Sequence, residues 1–256
     1  VVYAVGADLS GRNFDGLNLQ NAVFDKADLS NTSFKNANID GARFAFANLD
    51  NSNLLDRTDL HNVNLAGVDL SSTSLKGKDL SGANLSYVDL SEHDLTGTNL
   101  IGATLSYVKL SSTSLKGNDL SGANLSNVDL SEHDLTGTNL SDTILVGTDL
   151  SGRDLQYIQL TNADFRYANL SESKLLDSQL TNNNFDYATL NDMNFMGKDL
   201  SSSSFNQVKL EGSDMQNTNL YDSNFIQVDF TKIKNKSLAG ADLSETSFAY
   251  SNLSGV

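Results

Sequence analysis

The 256-residue sequence contains no proline, no cysteine and no tryptophan. At the usual ~5% a chain of this length would carry roughly a dozen prolines. Their absence points to a backbone whose N–H groups are almost all committed to hydrogen bonds, and it excludes loops built on proline turns. Without cysteine there is no disulfide framework, thiolate metal site or cysteine nucleophile, and the redox compartment stays open. No apolar run is long enough for a membrane-spanning helix or the hydrophobic core of a signal peptide. Glycine-rich phosphate loops, zinc-ligand spacings and nucleophile elbows are missing too. The many Ser and Thr residues have no nearby base to activate them. The expectation is a non-catalytic chain with no cofactor. Residue 1 is Val rather than Met, which suggests a processed chain or a piece of a longer protein.

What is present is a period. From Leu60 to Phe230 all 35 successive fifth positions are Leu, Phe or Met. A helix would show spacings of 3 and 4, and a half-buried strand an alternation of 2, so a strict 5 fits neither. It implies a solenoid in which every five residues turn one corner. Two residues before each centre stands a small or β-branched residue, as Ala83 and Val88 do in "SGANLSYVDL", and between the two is usually Asp or Asn.

This Ala-(Asp/Asn)-Leu-x-x pattern, running from about residue 7 to 253, resembles that of the pentapeptide-repeat family. The resemblance implies an all-β fold, a right-handed quadrilateral parallel β-helix with four pentapeptides per coil. The centre and the residue two before it then point inward and the other three face solvent. About 12 coils at ~4.8 Å would make a rod of roughly 58 Å. Burial of each leucine is worth about 1.5–3 kcal/mol before entropy is subtracted, so the core needs no cofactor.

The expected domain organisation is a single β-helix over residues 1–256 with two phase shifts, near 55–59 and 231–237. The first requires one extra residue around Leu55 to Arg57, read as a bulge or small corner loop. The second carries Lys232, Lys234 and Lys236 and is read as a short basic loop projecting from the repeat. Residues 68–100 and 108–140 are nearly identical; forty residues is two whole coils, and duplication of a coil pair accounts for them.

That duplication bears on the most conspicuous residues. His93 and His133 occupy the inward slot in two copies of "LSEHDLTGTNL", so their recurrence is not independent evidence for a site. Two coils put them about 9.6 Å apart, too far for joint ligation of one zinc at about 2.0–2.1 Å per ligand. Neutral rings bonded to Thr113 or to backbone carbonyls are expected. If the rings are enclosed, protonation around pH 5–6 should loosen the middle coils. Arg12, Lys78, Arg153 and Lys198 fill equivalent inward slots, each after a glycine. An enclosed cation is costly, so these side chains are expected to escape outward where glycine lets the corner open.

Phe165, Phe185, Phe205 and Phe225 fall 20 apart at centres, a core stack. Tyr87, Tyr107, Tyr167 and Tyr187 fall 20 apart or at multiples of 20 in an outward column, continued by Asn127, Gly147, Gln207 and Gln227. Tyrosine offers large contact area at low entropic cost, which makes these four the candidate partner-binding face. Shielding of ladder edges is the plainer reading.

The chain carries 32 acidic against 17 basic residues, a net charge of −15, and 17 of the acidic residues are Asp in the seat before a centre. Much of the charge is repeat grammar, but it disfavours direct nucleic-acid binding. The leading expectation is an acidic protein-interaction solenoid with a protein partner, no membrane span, and a place in a larger bacterial protein, cytoplasmic or secreted as an effector. Some relatives are similar to duplex DNA in width and charge and bind type II topoisomerases, which makes gyrase inhibition by DNA mimicry the alternative. A duplex of that length carries about 34 charges at one per ~1.7 Å, so the density here is under half. A purely structural or designed rod is the third reading.

Overall fold

A single pentapeptide shows how the chain closes its corners. In the stretch from Asn18 to Val23, Leu19 N–H donates to Asn38 O in the next coil (2.7 Å) and Asn21 N–H to Asp40 O (2.9 Å). Ala22 N–H turns back to Leu19 O (2.9 Å), and Val23 N–H reaches the preceding coil at Val2 O (2.8 Å). The remaining amide, that of Gln20, donates to the Asn18 side chain at 3.2 Å. All five N–H groups of this repeat are therefore in use, which leaves none of its positions free for proline. The bond from Ala22 to Leu19 closes a β-turn with positive φ at its third residue, Asn21 (57°). That is the type II pattern, and it favours Gly or Asn there.

The computed structural model describes residues 1–111, 114–175 and 180–256. Parallel bridges join residues 20 apart, such as Asp8 with Asp28 and Asp164 with Asn184, so four pentapeptides make each coil of this β-helix. Asp89–Leu90 pairs with Lys109–Leu110 in the same parallel sense. Centres and the slots two before them are buried throughout most of the chain, Leu85 and Ala83 completely. Buried inward Thr and Ser hydroxyls are satisfied by carbonyls, as Thr143 Oγ1 is by Leu140 O at 2.6 Å.

Contacts group the chain into two compact units. The first comprises Val1–Ser114 with Asn118–Asn124. Its N-terminal core is phenylalanine: Phe14 stacks on Phe34 (5.0 Å) and Phe24 on Phe44 (5.3 Å), with edge contacts between the two pairs. The first phase shift is a 3-10 turn, Asn53–Asp56, capped by the Ser52 side chain on Leu54 N–H. It lengthens the ladder step from 19, Phe24 to Arg43, to 20, Phe44 to Asn64, the one extra residue required by the sequence.

The second unit comprises Leu115–Gly117 and Leu125–Val256. Phe165, Phe185, Phe205 and Phe225 stack in its core at 5.1, 5.0 and 4.6 Å between successive rings. Its phase shift adds three residues, since Asn219 bridges Asp242 rather than residue 239. The insert does not project. Two 3-10 turns, Phe230–Lys232 and Lys234–Lys236, hold Ile233 in the core. Lys234 is pinned by its N–H to Ser213 O (2.9 Å) and its ammonium to Asp214 (3.1 Å).

Candidate interaction surface

The corner residue sets the surface. Gly or Asn fills it at many corners, but Tyr87 (φ 65°), Tyr107 (60°), Tyr167 (61°) and Tyr187 (63°) take the same left-handed backbone. For a bulky residue that conformation costs about 1–2 kcal/mol. In the first unit the Tyr87 and Tyr107 rings stack at 5.2 Å and 3°, and Phe46 leans on Tyr87 at 6.4 Å. Phe46 is half exposed, and its ring covers Gly67, where an added Cβ would lie 2.1 Å from it. In the second unit Tyr167 and Tyr187 stack at 4.9 Å and 5°. The same column continues there as a Gln207 to Gln227 side-chain hydrogen bond of 2.8 Å. All four tyrosines remain exposed, Tyr87 at 60% and Tyr167 at 61%. Phe46 escaped the sequence reading because the extra residue at the first shift places it 21, not 20, before Gly67.

The acidic residues have a structural employment. Each of the 17 aspartates before a centre accepts the backbone N–H two residues on. A Ser or Thr two residues on can add a second bond through its hydroxyl, as Ser91 does to Asp89 at 2.6 Å. These bonds hold Asp8, Asp69, Asp89 and Asp129 below the usual carboxylate range, the hydroxyl contributing most and the N–H next. Asp134 is lowered to about 2 by the Thr136 hydroxyl, then its N–H, then Lys116.

The inward cations behave differently from one another. Lys78 is buried at 8% exposure and donates to Leu55 O (2.8 Å) and Arg57 O (2.7 Å). The expected outward escape is thus wrong for Lys78: carbonyls released by the 3-10 turn provide its partners inside. Desolvation lowers its pKa, opposed by Asp56. Arg57 staples the same turn to the coil before, donating to Phe34 O (3.2 Å) and Ala37 O (3.0 Å). Arg12 is exposed, and Arg153 and Lys198 are partly so; Arg153 Nε reaches Ser151 O at 3.3 Å. Glycine is not what frees them, because Asn21 and Tyr87 hold the same corner conformation as Gly11, Gly77, Gly152 and Gly197. His133 is buried and His93 partly exposed; Thr113, their expected partner, lies outside the described residues. Among the described residues no group of three or more His, Asp or Glu could hold a metal ion, and no helix is long and apolar enough to cross a membrane.

The first unit also contains a break in its ladder. Among the described residues, no backbone hydrogen bond joins 68–75 to 88–95; pairing stops at Gly67 to Ser86 and resumes at Gly77 to Thr96. The corners at Ser72 and Glu92 lack positive φ, although the turn bonds Thr73 to Leu70 and His93 to Leu90 persist. A groove of about 760 Å³ opens there, lined by both segments and by Tyr87.

The Pentapeptide repeats family matches in eight copies spanning residues 5–234. No curated protein shows a significant match. HetL, a pentapeptide repeat protein involved in heterocyst differentiation regulation from Nostoc, is 26% identical over 99% of this chain and 89% of its own, with a TM-score of 0.27. Full-length QnrB1, a plasmid-mediated fluoroquinolone resistance protein, is 16% identical over 94% and 91%, with a TM-score of 0.32. A thylakoid-lumen pentapeptide repeat protein of Arabidopsis thaliana is 22% identical over 58% and 68%, with a TM-score of 0.14. With its five-residue frame, its 20-residue coil and these eight matches, the chain belongs to the pentapeptide repeat family.

Proposed function

We propose that the chain is a non-catalytic protein-interaction solenoid. Its partner-binding surfaces are the tyrosine ladders, Tyr87 and Tyr107 with Phe46 in one unit and Tyr167 and Tyr187 in the other. One observation supports this most: half-exposed aromatic rings occupy a left-handed seat that Gly and Asn fill without strain. Stacking recovers about 0.5–1.5 kcal/mol per pair, no more than the backbone cost, so stability alone gives little reason to keep tyrosine. Rigid rings of this kind are what interfaces favour.

The test replaces Tyr87, Tyr107, Tyr167 and Tyr187 by Asn, which keeps the corner backbone. A partner captured by the native protein should be lost by the variant at equal folded concentration. Equal retention would sink the proposal. DNA mimicry draws no comparable support, since the aspartates that carry most of the charge are already explained by the turns they close. Gyrase supercoiling should therefore proceed unchanged with the protein present at micromolar concentration; inhibition would reverse this preference.

A further inference from the structure

We propose that the groove between residues 69–75 and 89–94 takes an extended basic peptide, which pairs with the backbone edges that those two segments leave open toward each other. The site stands apart from the tyrosine ladders except that Tyr87 lies at its rim.

The argument begins with the backbone. Over much of the first unit successive coils use each other's N–H and C=O groups, whereas among the described residues 69–75 and 89–94 share no such bond across the groove. Open strand edges are templates for another strand, and main-chain pairing is how an extended peptide adds to a sheet edge. Among the described residues the segment 68–76 is also unpaired on its other side, toward the 3-10 turn Asn53–Asp56, where a second hollow of about 550 Å³ lies. It is anchored by Leu70 and Leu75 in the core, by Thr98 Oγ1 donating to Leu75 O (2.8 Å), and by Lys76 to Asp94 (3.3 Å). The 69–75 edge is therefore open without being loose.

Charge chooses the occupant. Asp69, Asp89, Glu92 and Asp94 line the groove, and no Lys or Arg does. Lys109 pairs Asp89 at 3.6 Å and Lys76 pairs Asp94 from the rim. Among the described residues Asp69 and Glu92 have no ion-pair partner. Lysines alternating along a strand would meet these carboxylates. An acidic peptide would be repelled.

The probe is a labelled hexapeptide alternating lysine with valine, with a glutamate-for-lysine peptide as control, followed by fluorescence anisotropy and amide hydrogen exchange on the whole chain. Binding of the lysine peptide alone, with slowed exchange at 69–75 and 89–94, is the expected result. The double variant Asp69→Asn, Glu92→Gln keeps the Asx acceptor for Ser71 N–H, and its melting curve verifies the fold. It should weaken binding at least about tenfold, on the scale of 1.4 kcal/mol per tenfold. No binding, protection confined to other segments, or undiminished affinity in the folded variant would each overturn the proposal. So would protection of these amides that grows with protein concentration without peptide, which would assign the groove to a second copy.

Discussion

Lys78 sits in an inward slot that a small residue usually fills, and it is kept there by two carbonyls that the extra residue at the first phase shift sets free. Removing the ammonium leaves Leu55 O and Arg57 O without their donor. Lys78→Met should therefore cost about 1–3 kcal/mol, read by urea denaturation, even though methionine suits a buried site. A neutral result would show that water replaces the ammonium. Corner residues follow a different rule. Gly82 holds φ at 63°, and an added Cβ would lie 2.3 Å from Asn62 Oδ1. Gly82→Ala should cost at least about 1 kcal/mol in the same assay, whereas Tyr107→Asn should be close to neutral, trading a stack for a relaxed backbone. The cation at 78 was visible in the sequence and its destination was not, because the carbonyls that receive it exist only once the 3-10 turn has formed.

At the scale of the repeat, the seat before each centre closes the next corner. Asn64 accepts Ala66 N–H at 3.0 Å. Asn64→Ala should lose about 1 kcal/mol, in line with other side-chain caps of backbone N–H groups, while Asn64→Asp should leave the melting temperature nearly unchanged. Where the seat holds Asp, the bonds lower its pKa in the folded chain. Such a group stabilises the fold above its unfolded value near 3.8 and loses that contribution as pH falls toward the folded value, about 2 for Asp134. Thermal melts should accordingly decline from about pH 5 to about pH 2; a flat profile over that window would contradict the assignment. His61 works in the other direction, its pKa raised by the Asp59 hydrogen bond and then by nearby carboxylates. Its small exposed contribution is present below about pH 6.5 and fades as pH rises through the higher folded value. The period, the inward and outward seats and both phase shifts were legible because each repeats or interrupts a local rule. The ladder break was not: Ser72 and Glu92 leave the left-handed conformation, yet Ser202 and Glu172 keep it in the same seat. Neighbouring coils decide the outcome, and one sequence position does not record them.

Across the molecule, a solenoid couples each coil mainly to its neighbours, so local stability follows local pairing. Amides of Leu70 and Leu75 should exchange faster than those of Leu65 and Leu80, whose bonds to Asn84 O and Asn99 O are intact. Equal protection at all four would mean the ladder closes in solution. The aspartate seats also have a consequence for how such a chain can change over time. Asn64, Asn84, Asn184 and Asn219 perform the same capping as the aspartates, each through Oδ1 on the N–H two residues later. The turn requires only an oxygen, so a mutation between Asp and Asn alters the electric field of a wall while leaving its geometry untouched. Lineages can drift or be selected along that axis one unit of charge at a time, giving one scaffold many electrostatic identities.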